Sequence, residues 1–251
     1  MPIDLSWTCD SGAQLSRWQI TESRDQLAQM YNQIWGDAAD PNTAETGSVH
    51  KLAARNTIGT AFPNHQLQFS EHGKPTLSPN SAHINHSHAG DYALFIHHPS
   101  LSVGVDIEQI RPQLARIYPR FCNANELAWL GESPSLQDLL LMWCAKEALY
   151  KAIGQKGTDF REHLEISQFT TPERSTNKGE FSERASHQIT QEPKGTPLQT
   201  INEALQPTDE ALTPTGKMTA QIHLEGWAQT CELQFVIWEK YTAVWVALPQ
   251  S

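Results

Sequence analysis

The sequence has few basic residues and no long apolar run. Among its 251 residues, 18 are lysine or arginine and 28 are aspartate or glutamate, which gives a formal net charge of −10. This acidity disfavours a nucleic-acid partner, because phosphate backbones are bound mainly through lysine and arginine. No apolar run reaches about 18 residues, the length expected of a membrane-spanning helix. We therefore expect neither nucleic acid nor a membrane among the partners, although a local basic pocket for a small anion remains compatible with this charge.

Cysteine is also scarce. The four cysteines, Cys9, Cys122, Cys144 and Cys231, are far apart and form no C-x-x-C pair of the kind that binds metals. The first four residues contain no basic segment followed by an apolar signal core. Both observations predict a cytoplasmic protein whose thiols are reduced.

The chain is long enough for one large domain or two small ones. Residues 171–217 differ from the remainder, since proline, threonine, serine, glutamate, glutamine and lysine dominate and large apolar residues are sparse. Such a composition buries little surface, which predicts a flexible insertion at this place.

Residues 102–108 alternate between apolar and polar side chains, as a strand does. Val103, Val105 and Ile107 would face a core, and Asp106 and Glu108 would share the other face, about 7 Å apart. Neighbouring carboxylates repel each other unless a cation lies between them. A pair of oxygen ligands suits Mg²⁺, which binds few carboxylates together with water and phosphate oxygens. The alternative is an exposed acidic pair on an edge strand.

Residues 138–153 contain neither glycine nor proline, which predicts a helix of about four turns. Glu147 lies on the same stripe as Trp143 and Tyr150, and Lys151 is its i+4 neighbour. A carboxylate in an otherwise apolar stripe needs a partner, so Glu147 is a candidate third ligand for the same ion. The alternative is a surface pair of Glu147 and Lys151.

Together these two segments resemble the signature of the 4′-phosphopantetheinyl transferases. The signature comprises a Gly-x-Asp strand, here Gly-Val-Asp-Ile-Glu at residues 104–108, and a Trp-x-x-Lys-Glu-Ala-x-x-Lys helix, here at residues 143–151. The length and the position of Glu108 resemble the two-lobed, surfactin-synthetase-activating (Sfp) type. This paired motif is more specific than either segment alone.

The resemblance implies an α+β fold with two similar lobes related by pseudo-two-fold symmetry. Each lobe would contain a small antiparallel sheet with packed helices. The amino-terminal lobe would span residues 1–100 and the carboxy-terminal lobe residues 101–251, with the break near residues 97–100. The nucleotide would then lie in the cleft between the lobes, a common location for ligand sites.

The resemblance also implies an activity. Enzymes of this family transfer 4′-phosphopantetheine from coenzyme A to a serine of an acyl or peptidyl carrier protein, releasing adenosine 3′,5′-bisphosphate, in fatty-acid, polyketide or nonribosomal peptide biosynthesis. Asp106, Glu108 and Glu147 would hold Mg²⁺, with Mn²⁺ as a possible substitute. Glu147 or a metal-bound water would take the serine proton, with Glu147 as our candidate, and Lys151 would stabilise charge on the transferred phosphate. We expect a monomer.

Further residues are expected to contact coenzyme A. The family pattern of Gly-Lys-Pro followed by Asn-x-Ser-His is intact here and places Lys74, Ser87 and His88 near the phosphates. The sequence predicts a helix that begins at residue 48. In Sfp-type enzymes, basic residues on the corresponding helix often hold the 3′-phosphate of coenzyme A, and Lys51 and Arg55 occupy this helix here. By composition alone, these two would be a solvated basic face. His50 is a weaker candidate on this helix, and the resemblance places His86 close to the phosphates.

The function and the direction of two basic side chains remain open from the sequence. Another Mg²⁺-dependent enzyme acting on a nucleotide, such as a phosphohydrolase, would use the same carboxylates. A non-catalytic module that binds coenzyme A or a carrier protein would share the binding residues. Arg111 is compatible with a contact either to the ligand or to a carrier, and Lys146 is next to the site in sequence without a defined direction.

Overall fold

The computed structural model describes residues 3–71, 73–169, 215–238 and 240–249. The predicted flexible insertion lies outside these residues except at its end, where residues 216 and 217 already belong to a strand. No helix in the described part of the chain is long and apolar enough to cross a membrane.

The first lobe is built on a four-stranded antiparallel sheet with the order β1-β2-β6-β5. A separate hairpin, β3–β4, and three helices complete it. Its elements in chain order are β1 Ile3–Thr8, β2 Gln14–Gln19, α1 Arg24–Trp35, α2 Pro41–Thr46, α3 Val49–Ala61, β3 Gln66–Phe69, β4 Pro75–Ser78, β5 His83–Ala89 and β6 Tyr92–His98. A 3₁₀ turn, Gly36–Ala38, joins α1 to the segment before α2.

The second lobe is built on a five-stranded antiparallel sheet with the order β7-β11-β10-β9-β8. Tyr241 pairs with Trp238 at the end of the antiparallel ladder between its last two strands. The elements are β7 Ser102–Gln109, α4 Leu114–Ile117, α5 Ala124–Leu130, α6 Leu136–Ile153, β8 Leu164–Ile166, β9 Gly216–Leu224, β10 Trp227–Trp238 and β11 Tyr241–Leu248. A 3₁₀ turn, Tyr118–Arg120, follows α4.

Each sheet has its own apolar core. In the first lobe Leu27 of α1 and Leu52 of α3 pack with Phe95 of the sheet. In the second, Leu149 of α6 packs with Phe235 and the neighbouring strands. The predicted α+β architecture of two sheet-containing lobes is therefore confirmed.

The two sheets meet where the edge strands β5 and β7 run beside each other. Asn85 Oδ1 accepts a hydrogen bond from the Val105 backbone N–H at 3.3 Å. Ser87 Oγ accepts one from the Ile107 backbone N–H at 3.4 Å. Side chains of the first lobe thus satisfy backbone donors of the second, which fixes β7 against the amino-terminal lobe. The strand that carries both candidate acidic ligands consequently lies at the junction of the lobes.

Candidate functional site

Gly104 allows α6 to lie directly on β7. A Cβ atom at this glycine would be 1.9 Å from the Ala148 carbonyl oxygen and 2.7 Å from the Ala152 nitrogen. Any side chain would therefore force the helix away from the strand. Because α6 carries Glu147 and Lys151 and β7 carries the acidic pair, this close approach assembles the candidate site.

Asp106 is the centre of a hydrogen-bonded group that joins the lobes. Its Oδ1 accepts from Lys151 Nζ at 2.7 Å and from Ser87 Oγ at 2.9 Å. Lys151 Nζ also lies 3.0 Å from Ser87 Oγ. Asp106 is only 4% exposed, and its Oδ2 is buried without a hydrogen-bond partner among the described residues. A buried carboxylate oxygen left unpaired is costly, so it indicates a place for a cationic or donor ligand.

Glu108 and Glu147 are both partly buried and feel the charge of Asp106. Burial and the neighbouring Asp106 carboxylate raise the pKa of Glu108 above its ordinary value. The same two causes raise the pKa of Glu147, with Lys151 opposing them. Glu108 has a partner of its own, since Arg111 Nη2 lies 2.6 Å from its Oε1. The three carboxylates therefore repel one another at a place where a cation would be stabilised.

The carboxylates fit a hard divalent cation by chemistry, but they are not gathered into a closed centre. Among the described residues, no three side chains of histidine, cysteine, aspartate or glutamate come close enough together to hold a metal ion. Lys151 neutralises one oxygen of Asp106, and Arg111 holds Glu108. The unpaired Asp106 Oδ2 and the oxygen-only donor set fit Mg²⁺ binding with water or phosphate oxygens as further ligands. The three-carboxylate ligand set remains a prediction.

A small basic cavity opens beside this group. Its volume is about 270 Å³, and Lys151, Lys74 and Lys156 line it together with Asn85 and the ring of His86. Lys156 is a site candidate that sequence reasoning missed. It lies between Gly154 and Gly157, where a lysine is usually a solvated turn residue, and its only signal is its position just after the signature helix.

His88 lies at the edge of the site and stacks on His50. The two imidazole rings are parallel within 7°, with centroids 4.5 Å apart. His50 Nε2 is 2.6 Å from the Gly90 carbonyl oxygen, so this nitrogen carries the hydrogen and donates. Burial, the neighbouring His50 and Lys151 lower the pKa of His88. The structure thus brings together His50 of α3 and His88 of β5, both in the first lobe.

The two basic residues of α3 have different surroundings. Lys51 is exposed. Arg55 Nη1 donates to Thr43 Oγ1 at 2.7 Å, and its guanidinium lies 5.3 Å from the centroid of the Phe69 ring. Arg55 is therefore held within the first lobe, whereas Lys51 is accessible to a ligand.

Lys146 points away from the candidate site, into the core of the second lobe. Its Nζ is 2.7 Å from Glu126 Oε2, and both side chains are fully buried. It also donates to the carbonyl oxygens of Phe160 and Leu164, at 2.6 and 2.9 Å. This lysine of the signature motif therefore joins α6 to α5 and to the segment that leads into β8.

An aromatic groove lies beside α6. Trp143 packs edge-on against Phe121, with ring centroids 5.1 Å apart, and lies 5.8 Å from the ring of Phe160. These rings and Ile117 line an open depression of about 400 Å³ with Arg120 at its rim. The side chain of Trp143 thus forms part of an apolar surface one helical turn from Glu147.

Comparison with known proteins locates a family signal in this part of the chain. Residues 102–206 match the model of the 4′-phosphopantetheinyl transferase superfamily. A human L-aminoadipate-semialdehyde dehydrogenase-phosphopantetheinyl transferase is 29% identical, over 47% of this chain and 44% of that protein. The 4′-phosphopantetheinyl transferase psf-1 of Bacillus pumilus is 34% identical, over 38% of this chain and 43% of that protein. The chain thus spans less than half the length of these two relatives, and the resemblance expected from the signature is confirmed.

Proposed function

We propose, from the membership of residues 102–206 in the 4′-phosphopantetheinyl transferase superfamily, that this protein is a transferase acting on coenzyme A. It would move the 4′-phosphopantetheine group to a serine of an acyl or peptidyl carrier protein and release adenosine 3′,5′-bisphosphate. The carboxylates of Asp106 and its acidic neighbours lie directly beside a cavity lined by lysines, and this single observation supports the proposal best. A pyrophosphate ester carries negative charge that cationic neighbours stabilise, and carboxylates can hold a metal cation beside it.

The chemistry assigns a role to each group in this arrangement. The serine oxygen would bond to the β-phosphorus of coenzyme A, and the bond from that phosphorus to the bridging oxygen would break, leaving adenosine 3′,5′-bisphosphate with the electron pair. Glu147 is our candidate acceptor for the serine proton, since its raised pKa makes it a better base than an ordinary carboxylate. Lys151 would stabilise charge on the transferred phosphate.

We propose that Asp106, Glu108 and Glu147 hold Mg²⁺, with Mn²⁺ as a substitute. The bound ion would supply charge neutralisation for the pyrophosphate. Lys151 and Arg111 form ion pairs with Asp106 and Glu108 of this set. Arg111, which lies beside Glu108, would contact the phosphates or an acidic carrier surface.

We propose that coenzyme A binds with its phosphates toward the first lobe. Ser87 and His88 lie on β5 beside Asp106, and Lys51 is the exposed cation of α3. Arg55, held by Thr43, would support this surface and contact the 3′-phosphate only after release from that bond. We further propose that the protein acts as a cytoplasmic monomer, which light scattering would test for the oligomeric state.

Mass spectrometry tests the proposed activity directly. The protein is incubated with Mg²⁺, coenzyme A and an apo carrier protein, and a gain of one phosphopantetheine on the carrier supports transfer. Asp106→Ala should abolish that gain, whereas Lys217→Ala, at an exposed ion pair with Asp10, should not. Hydrolysis of coenzyme A without a change in carrier mass would indicate a phosphohydrolase instead. Binding of coenzyme A without any covalent change would reduce the proposal to a binding module.

A further inference from the structure

Lys74 connects the two lobes through its side-chain amine. It belongs to the Gly-Lys-Pro turn of the first lobe, immediately before β4. Its Nζ donates to Ser102 Oγ and to the Ala152 carbonyl oxygen, each at 2.8 Å. Both acceptors belong to the second lobe. The resemblance of the sequence predicts a phosphate contact for this lysine, whereas the structure shows its amine bonded within the protein.

The two acceptors of Lys74 lie on the strand and the helix that carry the candidate site. Ser102 begins β7, the strand that carries Asp106, and Ala152 lies in the last turn of α6, the helix that carries Lys151. Ser102 Oγ itself donates to the Ala152 carbonyl oxygen at 2.6 Å. The Lys74 amine, the Ser102 hydroxyl and the Ala152 carbonyl therefore form a closed triangle of hydrogen bonds. The Ala152 carbonyl has no partner within its helix, so a cation here also opposes the negative end of the helix dipole.

The surroundings of Lys74 are shaped for this placement. Gly154 ends α6 in the left-handed region at a φ of +66°, and a Cβ there would lie 2.8 Å from Lys74 Cδ. The lysine stem therefore passes through space that only glycine leaves open. No carboxylate in the described ranges lies within ion-pair distance of its amine, and burial lowers its pKa. The amine is held by the neutral oxygens of the triangle.

We propose that Lys74 is a positioning residue that holds the two lobes in register through Ser102 and the end of α6. It acts on the reaction by keeping Lys151 and Glu147 of α6 aligned with Asp106 of β7 and with the phosphate-facing surface of the first lobe. The effect on turnover depends on the proposed transferase activity, whereas the effect on stability does not.

A double-mutant cycle with Lys74→Met and Ser102→Ala tests this role. Each variant is assayed for the turnover number, for the dissociation constant of adenosine 3′,5′-bisphosphate and for the unfolding midpoint. Loss of alignment by about 1 Å can lower turnover by up to a hundredfold, so we expect Lys74→Met to lower it by at least about tenfold. Ser102→Ala should lower it in the same direction, and the double variant should lose less than the product of the two single losses.

Lys217→Met is the matched control. Lys217 of the second lobe also reaches the first lobe, through its 2.7 Å ion pair with Asp10, but this pair is exposed and lies away from α6. We expect it to leave turnover within about twofold of the wild type, as is usual for exposed ion pairs. The positioning role also predicts that Lys74→Met changes the dissociation constant of adenosine 3′,5′-bisphosphate by less than about twofold, because the amine is not placed on the ligand.

The contrary result is equally specific. If Lys74→Met weakens adenosine 3′,5′-bisphosphate strongly while Ser102→Ala changes nothing, Lys74 is a phosphate contact and the proposal is wrong. If Lys74→Met does not fold, Ser102→Ala alone decides, since unchanged turnover and an unchanged unfolding midpoint would overturn the positioning role. If none of the proteins transfers phosphopantetheine, the unfolding midpoints still test whether Lys74 connects the lobes through Ser102. Midpoint losses that are coupled between the two substitutions support this role, and additive or absent losses refute it.

Discussion

At the scale of single residues, the candidate site is a place where like charges have been brought together. Glu108 and Glu147 both lie within the field of the buried Asp106, and burial adds to the cost of ionising them. A fold that keeps such groups close together at neutral pH is destabilised by them unless a cation is bound. Function and stability therefore oppose each other at these positions.

Glu147→Gln should stabilise the metal-free protein while removing activity. The folded-state pKa of Glu147 is raised, so its ionised form disfavours folding at neutral pH, and this penalty disappears as the pH falls through the raised pKa. We expect a higher unfolding midpoint than the wild type at pH 7.5 with EDTA, a smaller difference in acid, and at least a hundredfold loss of transfer, the usual order for removing an acid–base group. Substitution of the exposed Glu132 by Gln should change neither the unfolding midpoint nor the transfer activity. A lower midpoint for Glu147→Gln in EDTA would contradict the repulsion.

His86 should make the protein sensitive to acid. Its Nδ1 is buried without a partner among the described residues, and burial, Lys151, His88 and Arg55 lower its pKa to about 4. Between the ordinary pKa of 6.5 and about 4, the unfolded chain binds a proton that the folded protein excludes. The unfolding free energy should therefore fall as the pH drops through this window, by about 3 kcal/mol from this group alone.

Urea unfolding at a series of pH values measures the effect of His86. His86→Gln should show a shallower pH dependence than the wild type between pH 6.5 and 4, by about one proton. The exposed His223→Gln serves as the control and should keep the wild-type slope. Identical slopes for His86→Gln and the wild type would show that this imidazole titrates normally in the fold.

At the scale of elements, α6 serves the core and the site with different faces. Leu140 and Leu149 are fully buried in the second lobe, Glu147 and Lys151 face the site, and Lys146 is enclosed by the core. Its signature sequence therefore combines catalytic candidates with structural residues. The spacing of the motif does not distinguish these two kinds.

Lys146→Met should damage the fold rather than the chemistry. It would leave Glu126 charged and buried, although Glu126 would keep its bonds from the Asn123 and Ile166 backbone N–H groups. Removing one partner of a buried ion pair usually costs about 3–5 kcal/mol, and we expect a loss of that size in urea unfolding. Adding Glu126→Gln should restore part of it by removing the unpaired charge.

The exposed Lys156→Met provides the comparison for stability, since it removes a lysine of similar sequence position without burying a charge. A loss for Lys146→Met no larger than that of Lys156→Met would mean that the buried pair contributes little. A full loss that Glu126→Gln does not relieve would assign the role to the bonds with the Phe160 and Leu164 carbonyl groups.

At the scale of the whole molecule, apolar packing and hydrogen bonds both join the two lobes. A shared apolar cluster brings Leu15 and Ile96 of the first lobe against Val105 and Trp245 of the second. The backbone of β7 donates to side chains of β5, and Ser87 joins Asp106 at the site. The geometry of the site is therefore inseparable from the way in which the lobes pack.

Replacement of residues 175–212 by a short Gly/Ser linker should leave this architecture intact. The composition of that segment predicts little burial, and the entropy of closing a loop changes slowly with its length. We expect the unfolding midpoint and the transfer of phosphopantetheine to stay close to those of the wild type. A large drop in midpoint would show that the segment packs on the lobes. Loss of transfer to one carrier but not to another would make it a recognition element.

Local patterns were sufficient to predict most of the elements around the site. The alternation at residues 102–108 predicted β7, and the uninterrupted run to residue 153 predicted α6. The short helix α2 lies in a segment of small and acidic residues. Its signals were local as well: Asp40 accepts from the backbone N–H groups of Asn42 and Thr43, and Pro41 is the first helical residue.

The sequence by itself determined which residue types meet at the site, because strand alternation and helical spacing are properties of the local chain. It also carried the paired signature, whose glycine is explained by the contact of Gly104 with α6. Only the tertiary structure decided where the long basic side chains point. Lys74 bonds to the other lobe, Lys146 enters the core and Arg111 holds Glu108. A lysine or arginine side chain reaches several acceptors from one backbone position, so its partner depends on which elements pack around it.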